Sequence, residues 1–374
     1  RLSTHTMTAP ITAASTAAAA PIAWADPARE QAFKAWLQDV APTHALDVTS
    51  LRLASADASF RRYFRINTQP AGSCIIMDAP PDKEDCQPFV KVAGLMAEAG
   101  LPAPRVLAWN AAAGFMLLSD LGAQTMMEVI APPLAVDAIA HPTAAHYELY
   151  VQATDALVRW QLSSKPGVLP PYDDALLSRE LALFPDWYVA QHRNFALTTA
   201  QQAVLSDAFK HIKASNLQSF GGAQVFVHRD YMARNLMVSD GKLGVLDFQD
   251  AVYGPITYDI ASLMRDAFLT WEEDFVLDIT VRYWQKARTA GLPVGDDFGE
   301  FYRAVEWMGL QRHLKILGIF ARLTLRDGKP RYLADTPRFI KYVRATAARY
   351  RQLGPLMVLL DAIEGNETRV GYTF

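Results

Sequence analysis

Residues 225–238 read Val225-Phe-Val-His228-Arg229-Asp230-Tyr-Met-Ala-Arg234-Asn235-Leu-Met-Val238, and a second apolar run ends in Asp247-Phe248-Gln249-Asp250. Short apolar runs separated by polar turns predict three strands here, at Gln224–Val227, Leu236–Val238 and Leu243–Leu246. One strand delivers His-Arg-Asp into a loop. An amide, Asn235, closes the loop five residues after Asp230, and a carboxylate, Asp247, stands at the end of the next strand.

On either side of this cluster the pattern is helical. The spacing of apolar residues predicts helices at 142–162, 174–192, 198–213, 256–268, 272–289, 296–326 (broken near Gly318) and 335–362. The N-terminal third differs. A helix starts behind an Asp26 cap with Pro27 at its first position. Short runs at Leu51–Leu53, Tyr63–Ile66, Ser73–Asp78, Arg105–Trp109 and Gly114–Leu118 then read as an antiparallel sheet. A helix over Gln87–Ala99, ended by Gly100 and Pro102, is inserted after the third strand.

The strand–loop–strand cluster has the parts that phosphoryl transfer from ATP requires. A carboxylate must orient the attacking hydroxyl and accept its proton, and oxygen ligands must hold Mg²⁺ on the phosphates. Mg²⁺ takes a few hard oxygen ligands together with phosphates and water. Asn235 and Asp247 fit that demand, which leaves Asp230 for the hydroxyl. His228 reads as a structural residue bonding nearby backbone. Arg229 and Arg234 are open to three uses: solvent, an Asp partner or phosphate.

The segment His228–Asp259, with H-x-D-x4-N, then D-F, then Gly254-Pro-Ile-Thr-Tyr-Asp259, resembles the aminoglycoside phosphotransferase/choline kinase superfamily. The resemblance implies an α+β, bilobal protein-kinase-like fold. It has a small N-terminal antiparallel sheet lobe and a larger, mostly helical C-terminal lobe. It also implies ATP and Mg²⁺ as cofactors, with Asp259 buttressing the catalytic loop from a helix start. Four further segments are similar to one branch, the bacterial cell-wall amino-sugar kinases, which phosphorylate N-acetylmuramate and N-acetylglucosamine at the anomeric hydroxyl. They are Ala54–Arg65, Met77-Asp-Ala-Pro-Pro81, Gly114–Gly122 and Asp247–Pro255.

The expected organisation is a disordered lead-in over 1–26, a nucleotide-binding lobe over 27–118, a hinge over 119–123 and a helical catalytic and acceptor-binding lobe over 124–374. The nucleotide is expected between the lobes. Its phosphates would meet Ser59, Phe60, Arg61 and Arg62, and its base Met116, Leu118, Ser119 and Leu121. Met116 and Leu118 serve equally well as core strand residues. Two departures from the kinase pattern stand out. The loop from Ser55 to Phe60 holds no glycine, and Met77 stands where the third-strand Lys belongs, with Phe89 near its usual Glu partner. Arg61 and Arg62 are candidates for the missing charge, or else exposed strand residues. On the acceptor side, Arg234 of the loop is a candidate contact, and Glu180, Trp187, His192 and His313 offer aromatic faces and polar groups for a sugar, or ordinary helix surface and core. Other small-molecule kinases of the family and a non-catalytic nucleotide-binding regulator stay open.

Bulk composition narrows the class. With 374 residues, 51% of them apolar and 20% charged, the chain can bury a sizeable core. A net charge of −3 gives no basic excess for nucleic acid. No apolar run is long enough for a membrane span. Two cysteines, Cys74 and Cys86, make no disulfide framework. Residues 1–26 lack the Leu/Val-rich core of a secretory signal. The expectation is a cytoplasmic monomer acting on a small-molecule sugar.

Overall fold

The structure is a computed structural model that describes residues 21–56 and 60–365. Ser59 and residues 1–20 of the expected lead-in lie outside the described residues. The described residues fall into two compact units, residues up to 86 with 106–120, and 87–105 with 121 onward.

The first unit carries α1 (Pro27–Val40), β1 (Leu46–Ala56), β2 (Arg62–Thr68) and β3 (Ser73–Asp78), which are followed in the chain by α2 (Gln87–Glu98), β4 (Val106–Asn110) and β5 (Phe115–Ser119). The five strands form one antiparallel sheet in the order β1-β2-β3-β5-β4. Asp26 caps α1 by accepting from the Ala28 N–H at 2.9 Å, and Pro27 supplies a first helical residue that needs no partner. Phe33, Trp36 and Leu37 of α1 bury against Phe64, Ile76, Phe115 and Leu117 of the sheet.

Residues 21–26, expected within the lead-in, pack on the first unit. Trp24 lies 5.1 Å from the Phe33 ring, and the Arg62 guanidinium sits 4.1 Å above the Trp24 ring. Burying an indole on the sheet core outweighs the entropy of ordering a short Pro-rich segment.

Helix α2 belongs to the second unit, not to the sheet unit that brackets it in sequence. Phe89 packs its ring 4.9 Å from Phe248, and the Pro102 carbonyl accepts from the Val245 N–H at 2.8 Å. The second unit continues through β6 (Gln124–Thr125), α3 (Met126–Ile130), α4 (Ala144–Leu162), α5 (Asp174–Leu183), α6 (Thr199–Gln218), β7 (Gln224–Val227), β8 (Leu236–Ser239), β9 (Lys242–Val245), β10 (Val252–Pro255), α7 (Thr257–Met264), α8 (Glu273–Thr289), α9 (Phe298–Leu325), α10 (Thr336–Arg349) and α11 (Gly354–Glu364). Strands β6, β8 and β9 form one small sheet, and β7 pairs with β10.

Three predicted helices change shape. The 174–192 helix is α-helical only to Leu183 and continues as a π-helix over Phe184–His192, where Pro185 removes an N–H from the α ladder. The 335–362 helix divides at a 3₁₀ turn, Arg351–Leu353, with Pro355 opening α11. The break predicted near Gly318 is absent, and α9 runs unbroken for 28 residues. Gly318 is needed for contact and not for a kink. A Cβ there would sit 2.2 Å from the Leu183 carbonyl oxygen, so glycine lets α9 press directly on the α5 backbone.

Candidate active site

Strand β7 leads into the 228–235 loop, which two buried carboxylates hold: Asp259 at its start and Asp266, which accepts from the Ala233 N–H at 3.3 Å. Asp259, in the first turn of α7, accepts from the His228 N–H at 2.7 Å and the Arg229 N–H at 3.0 Å. It is 1% exposed, and burial pushes its carboxyl up to about 6 against the pull of His228 and the two N–H groups. His228 ties the loop to the following strand. Its Nε2 lies 2.8 Å from the Leu246 carbonyl, and its Nδ1 accepts from the Asp230 N–H at 3.2 Å. That pair of bonds requires the Nε2–H tautomer.

Three further bonds close the constellation. Asn235 donates through Nδ2 to the Asp230 carbonyl at 2.8 Å, and its own carbonyl accepts from the Leu246 N–H at 2.9 Å. Asp247 follows directly, exposed, with its Oδ1 accepting from Gln249 at 2.7 Å. Asp230, Asn235 and Asp247 are thus fixed to one backbone scaffold by His228 and Leu246. Two residues here occupy the left-handed region without being glycine, Arg229 at φ +81° and Asp247 at φ +56°. Each costs of order 1–2 kcal/mol, and such strain collects where a side chain must be aimed.

The donor set suits a hard cation. The Asn235 amide oxygen and the Asp247 carboxylate are oxygen ligands, and one carboxylate with water and phosphates is the common Mg²⁺ environment. Among the described residues no group of three or more His, Cys, Asp or Glu side chains forms a closed metal cage.

Arg229 turns away from the loop toward Glu180 of α5. Glu180 is 5% exposed and also accepts from Tyr172 at 2.6 Å and Gln311 at 2.9 Å, with the Lys315 ammonium 3.6 Å away. Burial alone pushes this carboxyl up. Lys315 and Arg229, with the two hydrogen bonds, reverse that and leave it at about 2.

The stability owed to the Glu180 charge is therefore complete above about pH 4.5, the unshifted value, and is lost as pH falls toward about 2. Over that window the unfolded chain binds one more proton than the folded one, a swing of about 3 kcal/mol. Urea-unfolding free energies taken across this range are expected to fall less steeply in Glu180→Gln, by nearly one proton. Equal slopes would show that Glu180 does not carry this charge.

Several expected ligands lie elsewhere. Glu180 is withdrawn as an acceptor contact, because its oxygens are taken by internal partners. His313 is withdrawn too. It is 2% exposed, stacks 4.6 Å from Tyr342 and faces a cavity of about 200 Å³ whose lining includes none of residues 228–235. Burial and then Arg312 hold its imidazole well below its usual pKa. Arg62 donates to Asp78 at 2.7 Å, a carboxylate it shares with Arg29, and to the Ala23 carbonyl at 2.8 Å. Arg61 is 9% exposed and paired with Glu84 at 3.1 Å. Both arginines, expected at the phosphates, thus have carboxylate partners within the sheet unit. The signal for their carboxylate partners lay in Met77-Asp78 and in the acidic turn that follows it.

Met116 and Leu118 are buried strand residues paired with Met77 and Ile75. Ser119 ends β5, Leu121 packs on Gly244, and Phe60 is exposed. Trp187 and His192 lie on the π-helix, half-buried, with His192 5.3 Å from Tyr188. Arg234 is exposed in the loop itself.

A profile of the phosphotransferase enzyme family matches residues 50–297. A Pseudomonas aeruginosa protein named N-acetylmuramate/N-acetylglucosamine kinase is 47% identical over 345 residues, covering 90% of this chain and 98% of the relative. A protein of the same name from Neisseria meningitidis serogroup B is 45% identical over 347 residues, covering 92% and 99%. Among solved structures, choline kinase from Cryptosporidium parvum Iowa II shares the fold at a TM-score of 0.55 and 11% identity, over 87% of this chain and 99% of that one.

Proposed function

The chain belongs to the phosphotransferase enzyme family, and from that premise we propose that it is an ATP-dependent kinase of N-acetylmuramate and N-acetylglucosamine that acts at the anomeric hydroxyl. The observation that carries the catalytic reading is the shared scaffold of Asp230, Asn235 and Asp247, joined through the Asp230 carbonyl, Leu246 and His228. In it Asp230 orients the sugar hydroxyl and takes its proton. Asn235 and Asp247 would hold Mg²⁺, which when bound neutralises charge on the phosphates. Asp259 and His228 keep the loop in register. Trp187 and His192 stand as candidate sugar contacts.

The sugar reading draws on the relatives of the same name and on charge. A polycationic aminoglycoside needs free carboxylates beside Asp230. The nearby carboxylate of Glu180 is neutralised by Arg229 and Lys315. Among the described residues no helix is long and apolar enough to cross a membrane, and both cysteines are buried and free.

Consumption of Mg-ATP is measured against N-acetylmuramate, N-acetylglucosamine, kanamycin and choline, with phosphorus NMR of the product. An anomeric sugar phosphate is the expected result. Turnover with kanamycin or choline alone would keep the catalytic loop and discard the sugar. ATP binding without turnover of any acceptor would leave a nucleotide-binding regulator.

A further inference from the structure

The loop that carries Asp230 also carries a cation, Arg234. Arg234 is exposed, with its guanidinium 4.7 Å from the Phe268 ring centroid. Arg331, also exposed, comes from the 3₁₀ segment Pro330–Asp335. It donates through Nη2 to the Tyr332 hydroxyl at 3.1 Å, and its guanidinium lies 4.9 Å from that ring. Phe268 and Tyr332 both pack on Phe320, at 5.9 and 5.1 Å, so one aromatic platform carries both arginines. Burial raises the Tyr332 hydroxyl, yet Arg331 and Arg234 more than offset it and the phenol ends below its usual pKa.

Among the described residues neither arginine is in an ion pair, although carboxylates stand close in sequence. Asp327 is taken by Arg326 at 2.6 Å, and Asp335 faces Arg338 at 3.8 Å. Two guanidinium groups drawn to one phenol without a counter-ion repel each other, and an arriving anion relieves that repulsion. Stacking on rings orders both side chains beforehand, which lowers the entropy lost on binding. A planar fork matches a carboxylate better than a point charge does.

We propose that Arg234, Arg331 and the Tyr332 hydroxyl form the seat for a carboxylate on the acceptor. The seat distinguishes N-acetylmuramate, which carries a lactyl carboxylate, from the neutral N-acetylglucosamine. This rests on the reading of the chain as a kinase of those two sugars, and it names the residues that separate them.

The test is the ratio of kcat/KM for N-acetylmuramate to that for N-acetylglucosamine in wild type, Arg331→Gln and Tyr332→Phe. Arg331 is exposed and Phe keeps the packing on Phe320, so both variants retain the fold. Loss of a charge-assisted hydrogen bond predicts a ratio lowered about 10- to 100-fold in Arg331→Gln and less in Tyr332→Phe. A ratio within about twofold of wild type overturns the seat. Equal losses with both sugars and a raised KM for ATP would place the arginines on the nucleotide and also overturn it. Wild-type protein that phosphorylates neither sugar would sink the acceptor reading and the seat together. Turnover of both sugars with an unmoved ratio sinks the seat alone.

Discussion

Asp230→Asn is expected to lower the turnover number roughly 10²–10⁴-fold, the usual scale for a lost general base, while nucleotide affinity and melting temperature stay near wild type. The substitution keeps the side-chain shape and removes only its ability to accept the hydroxyl proton. What holds the loop at this position is backbone. The Asp230 N–H donates to His228, its carbonyl accepts from Asn235, and neither bond uses the carboxylate. Single-turnover rates with saturating Mg-ATP and a parallel nucleotide titration separate the two effects. Full activity would remove Asp230 from its role. Loss of nucleotide binding together with activity would make it a structural or metal-binding residue.

The candidate catalytic loop was legible in the sequence as a unit because its parts are close together in the chain. Asp230, Asn235 and Asp247 occupy one strand–loop–strand segment, and the period of the apolar residues sets their order in space. The sheet of the first unit was legible for the same reason, since its strands alternate with turns, although β1 runs over Leu46–Ala56 where only Leu51–Leu53 had the strand pattern. Long-range partners were not. Arg62 and Asp78 are 16 residues apart, and Arg229 and Glu180 are 49 apart. Nothing local says whether an arginine after a phosphate loop points out or in. Glu180 and His313 were read from helices that do face the second unit's interior. A helix pattern gives the buried face, however, and does not tell a ligand-facing polar group from one matched by another buried charge. Gly318 shows the same limit. A glycine within a helix pattern reads as a break, and only the neighbouring Leu183 carbonyl reveals it as a contact.

Replacing Asp247 by Ala is expected to cost at least about 10³-fold in Mg²⁺-dependent turnover, because a metal clamp on transferring phosphate contributes several kcal/mol and each 1.36 kcal/mol is about tenfold. The residue is exposed and its backbone is strained at φ +56°, a conformation that Asp tolerates better than Ala. Part of any effect in the Ala variant could therefore be conformational, and Asp247→Asn separates the two. Asn accepts the left-handed backbone and keeps an oxygen where Gln249 donates, yet it lacks the charge. The expected pattern is a steep loss in both variants, with the Asn variant recovering some rate as Mg²⁺ is raised and the Ala variant recovering none. The scaffold around the residue stays in place, since Leu246 keeps its bonds to His228 and Asn235 in either case. A Mg²⁺ titration of the rate decides the matter. Half-saturation unchanged from wild type in both variants would take Asp247 out of the metal site and leave Asn235 without its carboxylate partner.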